Sequence, residues 1–396
     1  MSGRSGTGRR PGRAAGGHRP RSGGRLRIAV LFGGRSAEHE ISCLSAQSVI
    51  EALDPARYEV IPIGITKGGA WRLLPSGPAA LLAAGGALPS VGEDAGPGVE
   101  LARDPDAPAL VREDGTRAPV DVVFPVLHGP YGEDGTVQGL LELAGIPYVG
   151  AGVLASAVGM DKAVQKELFE QAGLPVVPHA VVHEREWEED PEAVEARAAD
   201  LGYPLFTKPA TLGSSVGVVK VHRPEELRAG LEEAFRYARK ALVERSAEGA
   251  RELEVAVLGN DDPVASVVGE IRPRGHEFYD YAAKYLDEQG AELLIPAEVP
   301  PRVAEEAQRM AVEAFRAIDC AGMARVDLFL LEPDRLLVNE INTIPGFTQI
   351  SMYPKLWAAS GVPYPELVDR LVELALERFE RDRRKGTVLS GPPGPA

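Results

Sequence analysis

Short apolar runs bounded by glycine and proline alternate with amphipathic stretches in the first part of the chain. Three such runs, which we predict to be buried strands, cover residues 26–32, 58–65 and 120–127. The pattern between the first two predicts a helix over residues 38–53, with Ser36 able to cap it. Strands that alternate with helices indicate an α/β fold with a mostly parallel sheet.

From Met160 onward, shorter strands with clearer alternation join the helices. We predict helices at 162–171, 224–240, 301–318 and 364–384, and strands at 147–149, 203–208, 216–221, 241–245, 252–258 and 264–271. A hairpin is predicted from strands 323–331 and 336–342, turning at 332–335. Residues 73–119 are rich in Pro, Gly and Ala and predict a long connection with little regular structure.

Composition narrows the class of protein. The chain has 396 residues, of which 44% are hydrophobic, enough for two or three cored domains. Two cysteines cannot build a disulfide framework, and no apolar run is long enough for a membrane span or a signal peptide, so we expect a cytoplasmic protein. The net charge is −15 although residues 1–25 hold seven arginines and no acid. We expect residues 1–25 to be a disordered tail, and neither nucleic acid nor membrane to be a partner.

The predicted hairpin carries the clearest chemical signal. Side chains two apart on a strand share a face, so Arg325 lies beside Asp327, and Glu340 beside Asn342. A turn over residues 332–335 places Asp327 opposite Glu340, and two facing carboxylates repel unless a cation offsets them. Carboxylate and amide oxygens suit Mg²⁺ shared with phosphates. The alternative is a solvated acidic face on an edge hairpin.

A loop of small residues follows Lys208 in the sequence. Residues 211–217 read TLGSSVG, and such a loop lets backbone N–H groups approach an anion. The lysine could reach phosphate oxygens from the end of the preceding strand. The spacing matches neither the P-loop nor the dinucleotide fingerprint, and an ordinary Gly/Ser turn is the alternative.

Two glycine-rich loops follow predicted parallel strands, where ligands of such sheets gather. In the first loop, Glu38 could hold the ammonium group of a zwitterion near a helix N-terminus, or could merely favour the helix dipole. In the second, HGPYGEDG, His128 is either catalytic or a satisfied structural histidine. Residues 277–285, EFYDYAAKY, are either a mobile lid that carries Lys284 or an aromatic-anchored surface loop.

Seven segments, taken in order, resemble the D-alanine–D-alanine ligases of the ATP-grasp superfamily. They are GGRSAEHEIS (33–42), HGPYGEDG (128–135), MDK (160–162), KPATLGSSVGV (208–218), EFYDYAAKY (277–285), ARVDLFL (324–330) and NEINTIPGF (339–347). The resemblance implies an amino-terminal parallel-sheet α/β domain followed by a two-part ATP-grasp α+β module. The implied divisions are a tail at 1–25, a substrate domain at 26–159, a central ATP-grasp subdomain at 160–250, a carboxy-terminal subdomain at 251–384 and a flexible tail at 385–396.

The resemblance also implies binding roles. ATP would contact Lys162, Lys208, Ser214, Glu244, Ser246, Ala247, Glu252 and Lys284, with Glu244 at the adenine and Glu252 at the ribose. Two Mg²⁺ or Mn²⁺ ions would be held by Asp327, Glu340 and Asn342. The substrates would be bound by Glu38, His128, Arg325 and Ser351, and a homodimer is implied.

The implied reaction joins two D-alanines through an acyl phosphate for peptidoglycan precursor synthesis. Arg325 and the N–H of Gly346 would form the oxyanion hole, Lys284 would reach the γ-phosphate, and Ser214, Tyr285 and Glu38 would form a hydrogen-bonded link to the lid. The same resemblance implies that related D-alanine–D-lactate ligases have a histidine at the position of Tyr285. A cationic histidine would repel an incoming ammonium group, so the tyrosine implies an amine as second substrate.

Two other functions stay open from the sequence. One is another ATP-grasp carboxylate–amine ligase, for example a D-alanine–D-lactate ligase. The other is a catalytically silent nucleotide-binding regulator, which a full set of metal and acyl-transfer residues disfavours.

Overall fold

The computed structural model describes residues 24–75, 77, 79, 88–102, 104–273, 290–331 and 333–385, and all structural statements concern these residues. The strands are β1 (Leu26–Gly33), β2 (Tyr58–Ile65), β3 (Trp71–Leu73), β4 (Val99–Leu101), β5 (Ala109–Arg112), β6 (Arg117–Pro119), β7 (Val122–Pro125), β8 (His179–His183), β9 (Leu205–Pro209), β10 (Val219–Val221), β11 (Lys240–Arg245), β12 (Arg251–Gly259), β13 (Val264–Pro273), β14 (Ala291–Leu294), β15 (Gly322–Leu331) and β16 (Arg335–Asn342).

The helices lie between and after these strands. They are α1 (His39–Ala52), α2 (Thr136–Leu143), α3 (Val153–Met160), α4 (Lys162–Gln171), α5 (Glu184–Glu189), α6 (Pro191–Leu201), α7 (Leu227–Phe235), α8 (Pro301–Ala317), α9 (Met352–Ala359) and α10 (Tyr364–Asp382). Ser36 lies just before α1 and accepts a hydrogen bond from the Glu38 N–H, so it shapes the turn into the helix rather than capping it. The mixed α/β class predicted from the sequence is confirmed.

The amino-terminal sheet has the order β3-β2-β1-β7, with β1 parallel to both of its neighbours. Strand β1 is fully buried over Ile28–Phe32, which explains why its sequence is a continuous apolar run rather than an alternation. The predicted strand at 147–149 is reduced to one bridge between Val123 and Tyr148.

The expectation for residues 73–119 was wrong in part. Strands β4, β5 and β6 form a small antiparallel sheet within this stretch. Its strands are only three or four residues long, so they contain too few alternating positions for a sequence pattern to reveal.

Two antiparallel sheets follow along the chain. The first has the order β10-β9-β11-β8, and the second has the order β14-β13-β12-β15-β16. Their cores are filled separately, the first by side chains such as Leu205 and Leu231 and the second by Leu253 and Phe315. The predicted helix over 224–240 is shorter, since a 3₁₀ turn at Pro224–Glu226 precedes α7 and β11 begins at Lys240.

The hairpin of β15 and β16 differs in register from the prediction. The predicted turn would pair Leu331 with Leu336, but Leu331 pairs with Arg335. A bulge then occurs between the pair Leu328–Val338 and the pair Asp327–Glu340, which leaves Asn339 as the extra residue. The bulge offsets the tighter turn, so Asp327 does face Glu340 as predicted.

Strand β16 lies at the edge of its sheet, and helix α4 covers that edge. The Ile341 N–H donates to Gln165 Oε1 at 2.9 Å, and the Lys166 ammonium donates to the Asn339 carbonyl at 2.9 Å.

No helix of the described residues is long and apolar enough to cross a bilayer.

Candidate active site

A cleft of about 330 Å³ opens between the two antiparallel sheets. Among the predicted site residues, those lining it are Lys162, Lys208, Ser214, Glu244, Ser246, Ala247, Glu252, Arg325, Asp327 and Glu340. These residues come from α4, from β9 and the loop that follows it, from β11 and the loop that follows it, from β12, and from the β15–β16 hairpin. The cleft therefore collects side chains that are up to 178 positions apart in the sequence.

A buried carboxylate organises one end of the cleft. Glu244 lies between the ammonium groups of Lys208 and Lys166, the latter 2.9 Å from Glu244 Oε1. Burial alone would raise the pKa of this carboxyl, but the two lysines hold the pKa at about 2. Glu244 is thus an ionised carboxylate that lines the cleft and is paired with two lysines.

The loop after β9 has an unusual backbone conformation. Ser214 and Ser215 both have positive φ angles, 53° and 58°, which non-glycine residues rarely adopt. The Lys162 ammonium donates to the carbonyl of Leu212 at 2.9 Å and lies 3.0 Å from Glu340 Oε2. Lys162 thus ties this loop to the carboxylates of the hairpin.

Three carboxylates lie side by side on adjacent strands. Asp327 on β15 faces Glu254 on β12 and Glu340 on β16. The Arg325 guanidinium donates to both oxygens of Asp327 at 2.6 Å and lies 3.1 Å from Glu254 Oε2. Like charges on facing strands repel, which makes Arg325 and Lys162 necessary to this row. Glu254 was not predicted as a site residue, although it lies two positions after Glu252 and so shares a face of β12 with it.

The donor set of the row fits a hard divalent cation. Asp327, Glu340 and the amide of Asn342, whose Nδ2 donates to Asp327 Oδ2 at 3.0 Å, supply oxygen ligands on one face. The row contains three carboxylates, and the two nearby cations are Arg325 and Lys162, so the net charge of these five groups is negative. Among the described residues, no group of three His, Cys, Asp or Glu side chains is arranged so that it could hold a metal ion.

A hydrogen bond from Ser214 connects Glu38 to the cleft. Ser214, which lines the cleft, donates from Oγ to Glu38 Oε1 at 2.5 Å. A Cβ atom on Gly129 would lie 3.2 Å from Glu38 Oε2, and one on Gly213 would lie 3.6 Å from it. The carboxylate therefore sits between two glycines, with space that larger side chains would remove.

His128 is a buried residue of the same region. Its Nε2 lies 3.1 Å from Ser45 Oγ and its Nδ1 lies 3.1 Å from the Ile344 carbonyl. Burial lowers the pKa of the imidazole, which favours the neutral form. Both ring nitrogens thus have protein partners, which agrees with a structural role, while the negative charge of the nearby Glu38 acts in the opposite direction and raises the pKa.

Glu133 is a titratable group that the sequence reading did not single out. Its Oε1 accepts a hydrogen bond from the Gly129 N–H at 2.6 Å. Burial and the nearby negative charge of Glu38 raise the pKa of this carboxyl to about 8. The sequence shows an acid in a glycine-rich loop, but burial and the neighbouring charge come from the fold.

Gly346 and Ser351 lie together at the turn that precedes α9. A Cβ atom on Gly346 would lie 3.1 Å from Ser351 Oγ. Ser351 Oγ accepts a hydrogen bond from the Thr348 N–H at 3.1 Å and lies 2.7 Å from Thr348 Oγ1. Lys284 and Tyr285, the predicted lid residues, lie outside the described residues.

Family models match most of the chain. The model described as D-ala D-ala ligase N-terminus matches residues 27–151, and that described as D-ala D-ala ligase C-terminus matches residues 168–373. The chain is 51% identical over 366 residues to a D-alanine–D-alanine ligase of Streptomyces griseus, covering 89% of this chain and 93% of the relative. It is 52% identical to that of Heliobacterium modesticaldum, covering 91% and 97%.

Solved structures agree with these relatives. The D-alanine–D-alanine ligase from Coxiella burnetii is similar with a TM-score of 0.79 and 40% identity, covering 91% of this chain and 96% of that one. The VanG D-Ala:D-Ser ligase from Enterococcus faecalis has a TM-score of 0.78 and 35% identity, covering 89% and 100%. Since the two family models, the curated relatives and the solved structures all agree with the cleft described above, this chain belongs to the D-alanine–D-alanine ligase family.

Proposed function

We propose that this protein uses ATP to join two D-alanine molecules into D-alanyl-D-alanine, a precursor for peptidoglycan. The observation that carries the proposal is the contact between Ser214 and Glu38. It connects a cleft rich in lysine and carboxylate side chains to a carboxylate suited to an amino-acid ammonium group. Phosphoryl donor and amino acid would thereby meet at one point.

ATP would occupy the cleft with its base near Glu244 and its phosphates near Lys162 and Lys208. The position of the ionised Glu244 in the lining of the cleft supports an amino group of the base at that end. Ser246 and Ala247 line the cleft beside it, and Glu252 would serve the ribose. Lys284 would complete the phosphate contacts from the lid.

Two Mg²⁺ or Mn²⁺ ions would be held by Asp327, Glu340 and Asn342. When bound, the metal ions would screen the repulsion between the phosphates and an approaching carboxylate. The residual negative charge of the carboxylate row supports this assignment, because a divalent cation would offset it.

The chemistry would run in two steps. The carboxylate oxygen of the first D-alanine attacks the γ-phosphorus, the bond from that phosphorus to the β–γ bridging oxygen breaks, and ADP leaves. The amine of the second D-alanine then attacks the acyl carbon, phosphate leaves, and the amine gives up one proton. Arg325 and the N–H of Gly346 would stabilise the tetrahedral oxyanion, and such a donor is worth about 3 kcal/mol in comparable sites.

The substrate contacts would divide between the two ends of the site. Glu38 would hold the ammonium of the first D-alanine, with His128 near its carboxylate, and Ser351 would bind the carboxylate of the second. Ser214, Tyr285 and Glu38 would link the closed lid to the body and help take the proton from the attacking amine.

The decisive experiment is mass spectrometry of products formed from ATP, Mg²⁺ and D-alanine. We expect D-alanyl-D-alanine, ADP and phosphate in equal amounts. L-alanine in place of D-alanine is the control. Tight ATP binding with no ADP from any amino acid would instead support the nucleotide-binding regulator.

The identity of the second substrate is a separate question, since one solved relative is named a D-Ala:D-Ser ligase. We propose D-alanine, because a tyrosine at position 285 carries no positive charge to repel an incoming ammonium. Competition between D-alanine, D-serine and D-lactate at neutral pH tests this, and preference for D-lactate would identify a D-alanine–D-lactate ligase.

We also propose a cytoplasmic homodimer. Exposed apolar side chains on α2 and α3, Leu140, Leu143, Val153 and Leu154, support a protein contact at this face. Light scattering should give twice the chain mass, and exchange of Leu143 and Leu154 for glutamate should give a monomer. A monomeric wild type at all concentrations would contradict the proposal. The cytoplasm supplies the ATP.

A further inference from the structure

Lys166 is a fully buried lysine that none of the roles above uses. Its side chain has no solvent exposure, and burial lowers the pKa of its ammonium. A lysine is rarely buried without a structural or functional reason. Its two close contacts are the Asn339 carbonyl and Glu244 Oε1, both at 2.9 Å.

Asn339 is the bulged residue of the hairpin that carries the proposed metal ligands. On the turn side of the bulge, Leu328 pairs with Val338, and a regular ladder would continue by pairing Asp327 with Asn339. Glu340 would then face Val326, which is fully buried. Because neighbouring side chains on a strand point to opposite faces, the extra residue alone brings Glu340 to the face of Asp327.

Helix α4 holds this bulge from the edge of the sheet. In addition to Lys166, Gln165 accepts a hydrogen bond from the Ile341 N–H at 2.9 Å, and its Nε2 donates to the Gly159 carbonyl at 3.0 Å. Lys162, one turn earlier, lies 3.0 Å from Glu340 itself. One helix face therefore contacts three successive residues of β16, from Asn339 to Ile341.

We propose that Lys166 is a positioning residue that holds the Asn339 bulge, keeps Glu340 and Asn342 on the face of Asp327, and so sets the affinity for the divalent cation. Through its second contact, with Glu244, it joins the base end of the nucleotide cleft to the metal end. The inference rests on the proposed nucleotide–metal function. Removal of a residue that orients a metal ligand without binding the metal itself typically lowers metal affinity by roughly 10- to 100-fold.

The test compares Lys166→Met with Lys240→Met in the full-length protein. Lys240 pairs with Asp161, which caps the same helix, at 2.6 Å, so the control loses a comparable lysine–carboxylate contact without touching the bulge. Mn²⁺ binding is measured by electron paramagnetic resonance with a non-hydrolysable ATP analogue present. We expect affinity about tenfold or more lower in Lys166→Met and unchanged in Lys240→Met.

Hydrogen–deuterium exchange of residues 336–342 supplies a readout that needs no metal. Exchange should become faster in Lys166→Met and stay as in the wild type in Lys240→Met. Wild-type Mn²⁺ affinity in Lys166→Met, or equal loss in both variants, overturns the proposal. If Lys166→Met does not fold, Lys166→Gln replaces it, and unchanged Mn²⁺ affinity in that variant likewise overturns the proposal.

The two failures can be told apart. A wild type that binds no Mn²⁺ in the presence of the ATP analogue would contradict the proposed metal function. The exchange comparison would still decide whether Lys166 holds the bulge, since equal rates in wild type and Lys166→Met refute that role.

Discussion

Replacing Asp327 with asparagine tests the proposed metal site, because its effect on metal binding can be measured separately from its effect on the stability of the hairpin. The carboxylate accepts two hydrogen bonds of 2.6 Å from Arg325 and one of 3.0 Å from Asn342. An asparagine keeps one carbonyl oxygen for Arg325 and loses one charge-assisted bond, which costs about 2 kcal/mol. Relief of repulsion from Glu340 across the ladder returns up to about 1 kcal/mol.

The expected net loss of unfolding free energy is therefore about 1–2 kcal/mol. A larger loss, about 3–5 kcal/mol, follows when a buried charge has no partner left. Arg325 avoids that state because Glu254 remains 3.1 Å away. Urea unfolding should thus show a folded variant with a modestly lower midpoint.

The effect on activity should be much larger than the effect on stability. Loss of a directly ligating carboxylate should weaken divalent-cation binding by at least about 100-fold, more than the loss of an outer contact. The assay is ADP release as a function of free Mg²⁺ at saturating ATP and D-alanine. We expect the Mg²⁺ curve to move beyond the accessible range.

Asp334→Asn on the same hairpin is the matched control. Asp334 pairs with Arg302 at 2.8 Å, and both side chains are exposed, so this variant should lose less than about 1 kcal/mol and keep its Mg²⁺ curve. An unchanged Mg²⁺ dependence in Asp327→Asn would refute the metal assignment. A loss of stability above about 4 kcal/mol would refute the argument that Glu254 compensates Arg325.

Three further predictions concern single side chains. Ser214→Ala removes the hydrogen bond to Glu38 and should lower kcat/KM for D-alanine about tenfold, which corresponds to about 1.4 kcal/mol. A kcat/KM equal to that of the wild type would contradict the link. Glu244, with its pKa of about 2 against an ordinary 4.5, stabilises the fold when ionised, so stability is lost as pH falls below 4.5. Glu244→Gln should flatten that acid limb in urea unfolding, and an unchanged slope would contradict it. The pKa of Glu133 is raised to about 8, so the free energy of unfolding should fall as pH rises from 4.5 to 8. Glu133→Gln should remove that pH dependence in thermal unfolding, and a pH dependence that persists in this variant would contradict the assignment.

The three acids of the carboxylate row can share adjacent strands because nearby cations offset part of their charge. Glu254, Asp327 and Glu340 would repel one another, and Arg325 and Lys162 offset only part of that charge. The side chains are mostly withdrawn from solvent, which strengthens both repulsion and attraction relative to water. An arrangement of this kind is costly for folding and useful for binding a multivalent cation.

Local patterns in the sequence predicted the class of fold and part of the elements. Among the described helices they predicted α1, α4, α7, α8 and α10 but missed α2, α3, α5, α6 and α9. Buried parallel strands such as β1 read as continuous apolar runs, and α4 begins and ends at the predicted residues. The pairing of Asp327 with Glu340 was also predicted, but it holds because two departures from the predicted hairpin, a tighter turn and a bulge, cancel. The short strands β4–β6 escaped prediction because they carry too few alternating positions.

Only the tertiary structure decided how the hairpin achieves its pairing. The turn is one residue tighter than predicted, and the bulge at Asn339 corrects the register. The carbonyl of the bulged Asn339 accepts a hydrogen bond from Lys166, which is 173 positions away, and the hydrogen bond from Ser214 to Glu38 spans 176 positions. Periodicity reports on neighbours along the chain, whereas burial, charge pairing and edge hydrogen bonds depend on which distant elements pack together. The sequence by itself therefore determined which groups are available for chemistry, and packing decided where each of them points.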